Sequence, residues 1–518
     1  MTRGKVPISL AILFAITLIA AACGSDSDEA SVEGESVSAE ESDGGADEGD
    51  GDQSDEAEAE GEADADDAAS GADEDEDGSG NETLGINEDN ILIGPSGFTI
   101  DLNECPSDWS DTAGVTDTEI RLGSSFPLSG PLAAFGNITV GQRVWYDHIN
   151  ETEGGVDGKD VIIIVKDDAY EPARSVTNVE EMLQNENVFS IVSSGGTPHT
   201  LANYDRLNEE CVPMLQVPTG HPAWGDPNFH PWTVSSFLAY NTEARLWGQH
   251  LIEELEAGTF GDAETVTVAA LVMNNDFGLA YRDGLQEFAE TEPRIEIVDA
   301  QLHDPAAPNV VNEMTTLAGT DADVVVAMTT AVYCTQAFEE VAQAAWDPKL
   351  KLFSNTCAGI ESFFEPAGDA GVGWRHTSHS IDLSDAALQD LPLVQEYRAI
   401  LEAEDLDPGI SQYGNGFFYA QLHTETLQQA ALLPGGVTRT NAMIAARSMD
   451  FQNGMNIEGI RSVTDGVNDA YPTEAAVIKQ YELEAGATVG SHAIVTEVVS
   501  VEGMSGLCHY VNNVCINE

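Results

Sequence analysis

Basic residues are scarce in this 518-residue chain: 19 Lys and Arg stand against 91 Asp and Glu. A surface so acidic offers no footing for nucleic acid or anionic lipid, and its net charge keeps the protein soluble. Dense carboxylates also resist salting-out, so a saline habitat is one source of such a balance. Catalytic signatures are missing as well. There is no G-x-S-x-G elbow, H-E-x-x-H helix, C-x-x-C pair or P-loop, which removes the commonest hydrolase, zinc, thiol-redox and nucleotide chemistries. No enzyme, metal or cofactor is expected. Long apolar runs are absent after Ala22, so nothing further along approaches the length of a membrane span.

What is present begins with Arg3 and Lys5 ahead of an apolar run from Val6 to Ala22, broken at Ser9 and Thr17. The run is too short for a confident transmembrane helix and reads as a secretory leader, residues 1–22. It ends in Ala20-Ala21-Ala22-Cys23-Gly24-Ser25, which resembles the lipobox of bacterial lipoproteins. Cys23 would then be the acylated first residue, and lipid the only tie to the membrane. Residues 23–90 hold 28 acids and no base, with few branched or aromatic side chains. Such a segment cannot offset its chain entropy by burial, and its charges repel, so an extended acidic tether is expected. Asp73-Glu74-Asp75-Glu76-Asp77-Gly78 matches half of a calcium loop, but Leu84 stands where the bidentate Glu belongs. No metal site is expected there.

Residues 91–115 form a short extension, after which β-branched runs alternate with amphipathic segments. Strands are expected at Glu119–Phe126, Val161–Lys166, Val188–Val192 and Pro213–Val217, with helices at Ile138–Ile149, Arg174–Gln184 and Pro198–Glu209 between them. The alternation restarts after Phe237. Strands Val266–Met273, Ile295–Gln301, Val324–Met328 and Leu350–Ser354 are interleaved with helices Thr242–Glu256, Leu279–Ala289, Val310–Leu317 and Gln336–Ala345. Near-continuous apolar strands joined by helices imply parallel sheets covered on both faces. The fold class is therefore α/β, with two doubly wound, Rossmann-like lobes joined by a hinge. Ligands of such sheets sit outside the carboxyl ends of the strands.

The residues at those ends are small, hydroxylic or glycine: Pro127-Leu128-Ser129-Gly130-Pro131, Ser193-Ser194-Gly195-Gly196-Thr197, and Pro218-Thr219-Gly220. Such loops expose backbone N–H groups, and the helices after them point positive N-termini the same way, a good setting for a carboxylate. Ser194 and Thr197 could equally be helix caps, but capping does not account for three polar turns at one edge.

Together with Val115-Thr116-Asp117-Thr118-Glu119-Ile120-Arg121-Leu122-Gly123, these loops resemble the branched-chain amino-acid binding proteins of ABC transporters, of the type I periplasmic binding-protein fold. The similarity runs from about Thr116 to Gln429. It implies a first lobe of residues 116–236 and about 374–445, and a second of 237–373 and about 446–518. It also implies an extracytoplasmic solute-binding protein that hands a small-molecule solute to an ABC transporter permease. By resemblance Ser194 holds the ligand carboxylate, Pro218, Thr219 and Gly220 add contacts, Ser129 and Gly195 lie in the binding loops, and Phe135 and Phe277 cover the ligand. Thr330 lies at a strand end that lacks the family tyrosine. Thr356 occupies the place of the acid that pairs with the ligand amine, and a neutral hydroxyl cannot replace that charge. An amide, a urea-like compound or a carboxylate without an α-amine therefore stays open beside an amino acid. A ligand sensor using the same fold is the alternative.

Six further cysteines in an oxidising compartment allow 15 disulfide connectivities. Cys334 and Cys357 follow successive strands and meet if those strands are neighbours. Cys508 and Cys515 are close in sequence, which leaves Cys105 with Cys211. His376 and His379, three apart in a strand-like segment, fall on opposite faces and read as solvated or locally bonded. Trp145, Trp247 and Trp374 read as core, and Trp224 as either a loop anchor or a pocket wall.

Overall fold

A computed structural model describes residues 83–344, 346–501, 504, 506–511 and 514–516. The leader, Cys23, the calcium-like run and most of the expected tether lie outside them. Regular structure starts earlier than the acidic composition suggested: β1 (Gly85–Ile86) pairs with β2 (Ile91–Ile93), and β2 with β3 (Thr99–Asp101), all antiparallel. Leu92, Phe98 and Ile100 are buried in this small sheet, so the apolar residues after Thr83 end the tether before Asn90.

The first lobe holds five parallel strands, β4 (Glu119–Phe126), β5 (Asp160–Asp167), β6 (Ser190–Ser194), β7 (Met214–Val217) and β8 (Thr233–Ser235), in the order β5-β4-β6-β7-β8. Helices α1 (Gly136–Glu153), α2 (Pro172–Glu181) and α3 (Thr197–Glu209) connect the first four strands. The second lobe repeats the plan. Its parallel strands β9 (Val266–Met273), β10 (Ile295–His303), β11 (Val324–Met328), β12 (Leu350–Phe353) and β13 (Trp374–Ser378) run in the order β10-β9-β11-β12-β13. They are joined or preceded by α4 (Tyr240–Glu256), α5 (Asp276–Thr291), α6 (Val311–Ala318), α7 (Val332–Gln343) and the single turn α8 (Glu365–Ala367). The central strands are apolar because both faces are covered: every residue of β11 is buried, and all of β9 but Thr267.

The chain then crosses back. α9 (Pro392–Ala403), α10 (Ser411–Leu432) and α11 (Arg439–Ala446) pack on the first lobe. α10 meets α1 backbone to backbone: a Cβ at Gly416 would lie 2.3 Å from the Ile138 carbonyl, and one at Gly141 2.3 Å from that of Tyr413. After a small ribbon of β14 (Asp450–Phe451) and β15 (Ser462–Val463), β16 (Ala475–Glu482) enters the second sheet antiparallel to β13. It is flanked by β17 (Ser491–Ile494) and β18 (Val499–Ser500).

Two expected boundaries need correction. Residues 374–378 belong to the second sheet, since Lys351 and Leu352 pair with Trp374 and Arg375, so the return to the first lobe begins after Ser378. The last residues leave the second lobe: the hairpin of β19 (His509–Val511) and β20 (Val514–Ile516) lies on the first. Cys508 N–H donates to the Gly225 carbonyl at 2.9 Å, and the Tyr510 ring stands 4.8 Å from that of His221. The cysteines pair as Cys105–Cys211, Cys334–Cys357 and Cys508–Cys515. Trp247 and Trp374 are fully buried, and Trp145 packs edge-on to Tyr397. No helix among the described residues is long and apolar enough to cross a membrane.

Candidate functional site

Both sheets reverse strand order at equivalent places, between β4 and β6 and between β9 and β11. Crevices open at the carboxyl ends of strands at such reversals. Here the two crevices face each other across one cavity of about 1050 Å³, counting the solvent at its mouth.

The first-lobe wall is built from backbone and hydroxyls. Gly195, Gly196 and Thr197, between β6 and α3, line it together with Pro127, Pro218 and Thr219. Gly195 is required by a close approach, because a Cβ there would stand 2.4 Å from the Pro127 ring, and Gly196 by its φ of +125°. The Thr219 hydroxyl is held by two neighbours. Its Oγ1 accepts from Thr197 at 3.2 Å and from Trp224 Nε1 at 3.0 Å. With both lone pairs engaged, its own O–H is left to donate into the cavity. Trp224 is fully buried and does not reach the cavity, so it is the loop anchor, acting through Thr219.

Tyr170 enters the same wall from the turn after β5. Ala169 and Tyr170 are successive left-handed residues, with φ of 51° and 63°, a costly pairing for non-glycine residues. Side chains of the preceding aspartates hold it: Asp167 accepts the Ala169 N–H and Asp168 the Tyr170 N–H, both at 2.9 Å. Tyr170 Oη in turn accepts from Asn275 of the second lobe at 3.3 Å. Beneath it, burial raises the fully buried Asp168 to about 6 and lowers His199 to about 4.

The second-lobe wall carries more charge and more rings. Phe277 sits in a cluster with Tyr240 and Tyr281. Asn355, at the end of β12, is oriented by Glu243, whose carboxylate accepts the Asn355 N–H at 2.8 Å and the Tyr281 hydroxyl at 2.7 Å. Burial raises Glu243 to about 7. Further along the sheet, His376 on β13, Lys479 on β16 and His492 on β17 line the cavity, with His379 and Asp382 from the crossing segment. Burial keeps the three imidazoles well below the usual histidine range, His379 at about 4 and His492 at about 3.

Of the residues expected at the site, Phe135, Gly195, Thr197, Pro218, Thr219, Phe277, Thr330 and Thr356 line this cavity. Three do not. Ser129 is exposed and donates to Asp167 at 2.7 Å, closing its own turn. Ser194 is fully buried at the end of β6, and the lining begins one residue later. Gly220 serves packing, since a Cβ there would lie 2.2 Å from the Leu238 carbonyl. Thr356 is tied within its own lobe, its hydroxyl 2.9 Å from that of Ser354.

His376 and His379 are locally bonded and not solvated, with His376 Nδ1 2.8 Å from the Thr377 carbonyl and His379 Nδ1 3.3 Å from the Asn355 amide, and they do not fall on opposite sides of the site. Both are buried and both line the cavity, because β13 ends at Ser378 and the alternation of faces ends with it. Sequence reasoning also missed Tyr170, Asn355, Lys479 and His492. For Lys479 a signal existed: it is a cation directly after the apolar run Ala475-Ala476-Val477-Ile478. Among the described residues no group of three or more His, Cys, Asp or Glu is placed to hold a metal ion.

The sequence model of the periplasmic binding protein family matches residues 119–476. Among curated proteins, Leu/Ile/Val-binding protein homolog 7 of Brucella abortus (strain 2308) is 25% identical over 171 residues, 32% of this chain and 41% of the relative. The homolog 7 of Brucella suis biovar 1 is 24% identical over the same extent, so the match spans less than half the length of these relatives. Three solved structures resemble the chain in fold. A branched chain amino acid ABC transporter protein from Thermus thermophilus with bound valine has a TM-score of 0.64 at 18% identity, covering 74% of this chain and 97% of its own. A fatty acid ABC transporter substrate-binding protein from Thermomonospora curvata gives 0.63 at 20%, covering 77% and 96%. A solute binding protein from R. palustris in complex with 4-hydroxybenzoate gives 0.60 at 19%, covering 74% and 98%.

Proposed function

This chain belongs to the periplasmic binding protein family, and from that premise we propose that it is the solute-capturing subunit of an ABC uptake transporter, held outside the cytoplasm by lipid on Cys23. Members of the family are substrate-binding proteins, not enzymes. The observation that carries the reading is the convergence of polar strand ends from both topological switch points on one cavity. Such a cleft between lobes takes a small solute and closes on it. The solute is a small polar molecule bearing a carboxylate or amide. The Thr219 hydroxyl offers a donor to its oxygen, and the aromatic rings around Phe277 cover its apolar body. Valine and 4-hydroxybenzoate, named with two proteins of this fold, share the carboxylate and differ in the rest, which supports a carboxylate-binding architecture with a variable second wall.

A thermal-shift screen of the purified mature protein against amino acids, amides and small carboxylates tests capture. A solute binding to the folded state alone raises the melting temperature by mass action, about 2.7 kcal/mol at a hundredfold excess over Kd. No stabilisation by any of these classes would refute the reading. The anchor is tested separately: Cys23→Ala should move the protein from the membrane fraction to the soluble one.

A further inference from the structure

We propose that Lys479 is the counter-charge for an anionic group of the solute. The cleft then selects small acids with oxygen at both ends, such as dicarboxylates and hydroxy- or oxo-acids, over α-amino acids. This rests on the solute-capture reading and narrows its substrate class.

Lys479 lies mid-strand in β16, opposite His376 of β13 and Ile494 of β17. Its side chain is 5% exposed and lines the cavity. The ammonium has three donors. One goes to the Ser380 carbonyl at 2.9 Å, and no carboxylate among the described residues forms an ion pair with it. The acidic groups facing it are bonded elsewhere. Asp382 accepts from the Ile360 and Ser384 N–H groups and the Ser384 hydroxyl, and Asp385 from the Ala387 and His492 N–H groups. Both act on Lys479 only at a distance. His376, His379 and His492 are held neutral by burial. Desolvation brings Lys479 itself down to about 8.

A buried, incompletely paired cation is costly to an isolated protein, and a hydrogen-bonded carboxylate is the partner that relieves it. On the same wall Thr356, where an amine-pairing acid is expected, has its hydroxyl engaged by Ser354. Asp382, the carboxylate on this wall, is already bonded by the Ile360 and Ser384 N–H groups and the Ser384 hydroxyl, so the ammonium of Lys479 is the charged group there with donors to spare. The opposite wall offers the Thr219 hydroxyl, which suits a second oxygen. Rings of Phe126, Phe237, Phe277 and Phe418 line the space between.

The experiment is calorimetry on the mature protein and its Lys479→Met variant, after a thermal-shift screen of small organic acids, their amides, amino acids and sugars. We expect stabilisers drawn from the acids. For the tightest acid, Lys479→Met should lower affinity about ten- to a hundredfold, while its neutral amide changes less than about threefold. Acid affinity in the wild type should fall as pH rises through about 8, as the ammonium loses its proton, and the variant should show no such fall. The unliganded variant should melt at or above the wild-type temperature, because it loses an unpaired buried charge; a lower melting temperature with unchanged acid affinity would make Lys479 a structural residue and overturn the proposal. Stabilisation by amino acids, amides or sugars with none by acids lacking an amine would overturn it too, with solute capture intact. Silence across the whole screen would overturn both.

Discussion

The two walls of the cleft recognise by different means. The first-lobe wall presents close-packed backbone and threonine hydroxyls from the turns after β6 and β7, with the Pro127 ring after β4. The second presents imidazoles, an amide, an ammonium and the Asp382 carboxylate, several of them from the edge of the sheet where β13, β16 and β17 run antiparallel. The shape of the first wall is set by backbone packing, as where Gly195 meets Pro127, whereas a wall of side chains can be respecified one residue at a time.

The largest expected effect concerns what holds each wall in place. Cys105–Cys211 closes 106 residues in the first lobe and Cys334–Cys357 closes 23 in the second. On the chain-entropy account, loss of the first should cost about 4–5 kcal/mol and loss of the second about 3 kcal/mol. Denaturant unfolding of the paired Cys→Ala variants measures both. Equal losses would mean that the stabilisation does not follow loop length, and the contrast between the lobes would go.

Each lobe also buries one carboxylate, Asp168 beneath Tyr170 and Glu243 beneath Asn355. Burial raises them to about 6 and about 7. A carboxyl that holds its proton more tightly folded than unfolded adds stability below about pH 4. That contribution disappears as pH rises through the folded value. Asp168→Asn and Glu243→Gln should therefore match the wild type near pH 4 and exceed it by up to about 3 kcal/mol at pH 8. The gain for Asp168→Asn should develop at lower pH than the gain for Glu243→Gln. Melting curves across pH separate them, and a variant less stable than wild type at pH 8 would show that hydrogen bonds to the carboxylate outweigh its desolvation.

The unequal legibility of the walls has the same origin as their chemistry. Gly195, Thr197, Pro218 and Thr219 follow directly from strand ends in a parallel sheet, because a strand and the loop after it are contiguous in sequence. Tyr170 also follows a strand, but its projection depends on two left-handed residues held by aspartate side chains, which spacing does not reveal. His376, Lys479 and His492 come together only through antiparallel pairing across about a hundred residues, and no local pattern announces that register. The same distance effect misplaced the chain's end. The 509–516 hairpin docks on the first lobe through Gly225 and Asp226, contacts that hydrophobic alternation cannot express.

Within the first wall, Thr219 and Thr356 across from it should separate cleanly. Thr219→Val removes the donor aimed at the solute and strands the Trp224 N–H and Thr197 hydroxyl, so affinity should fall about ten- to a hundredfold. Thr356→Val loses a hydroxyl already engaged by Ser354, and affinity should change less than about threefold. Calorimetry with the tightest solute from the screen reads both. A larger loss at Thr356 would move the polar contact to the second wall.

Ser194 should give the smallest effect, and it divides resemblance from geometry most directly. Resemblance assigns it the ligand carboxylate. The structure buries it completely at the last position of β6, outside the lining, and its Oγ has no partner among the described residues. Removing a buried hydroxyl that bonds nothing is nearly neutral or slightly stabilising. Ser194→Ala should therefore bind within about threefold of wild type and melt at the same or a slightly higher temperature. A tenfold loss of affinity without loss of stability would return Ser194 to the site. It would also mean that the loop from Ser194 to Thr197 turns its serine inward when the lobes close on the solute.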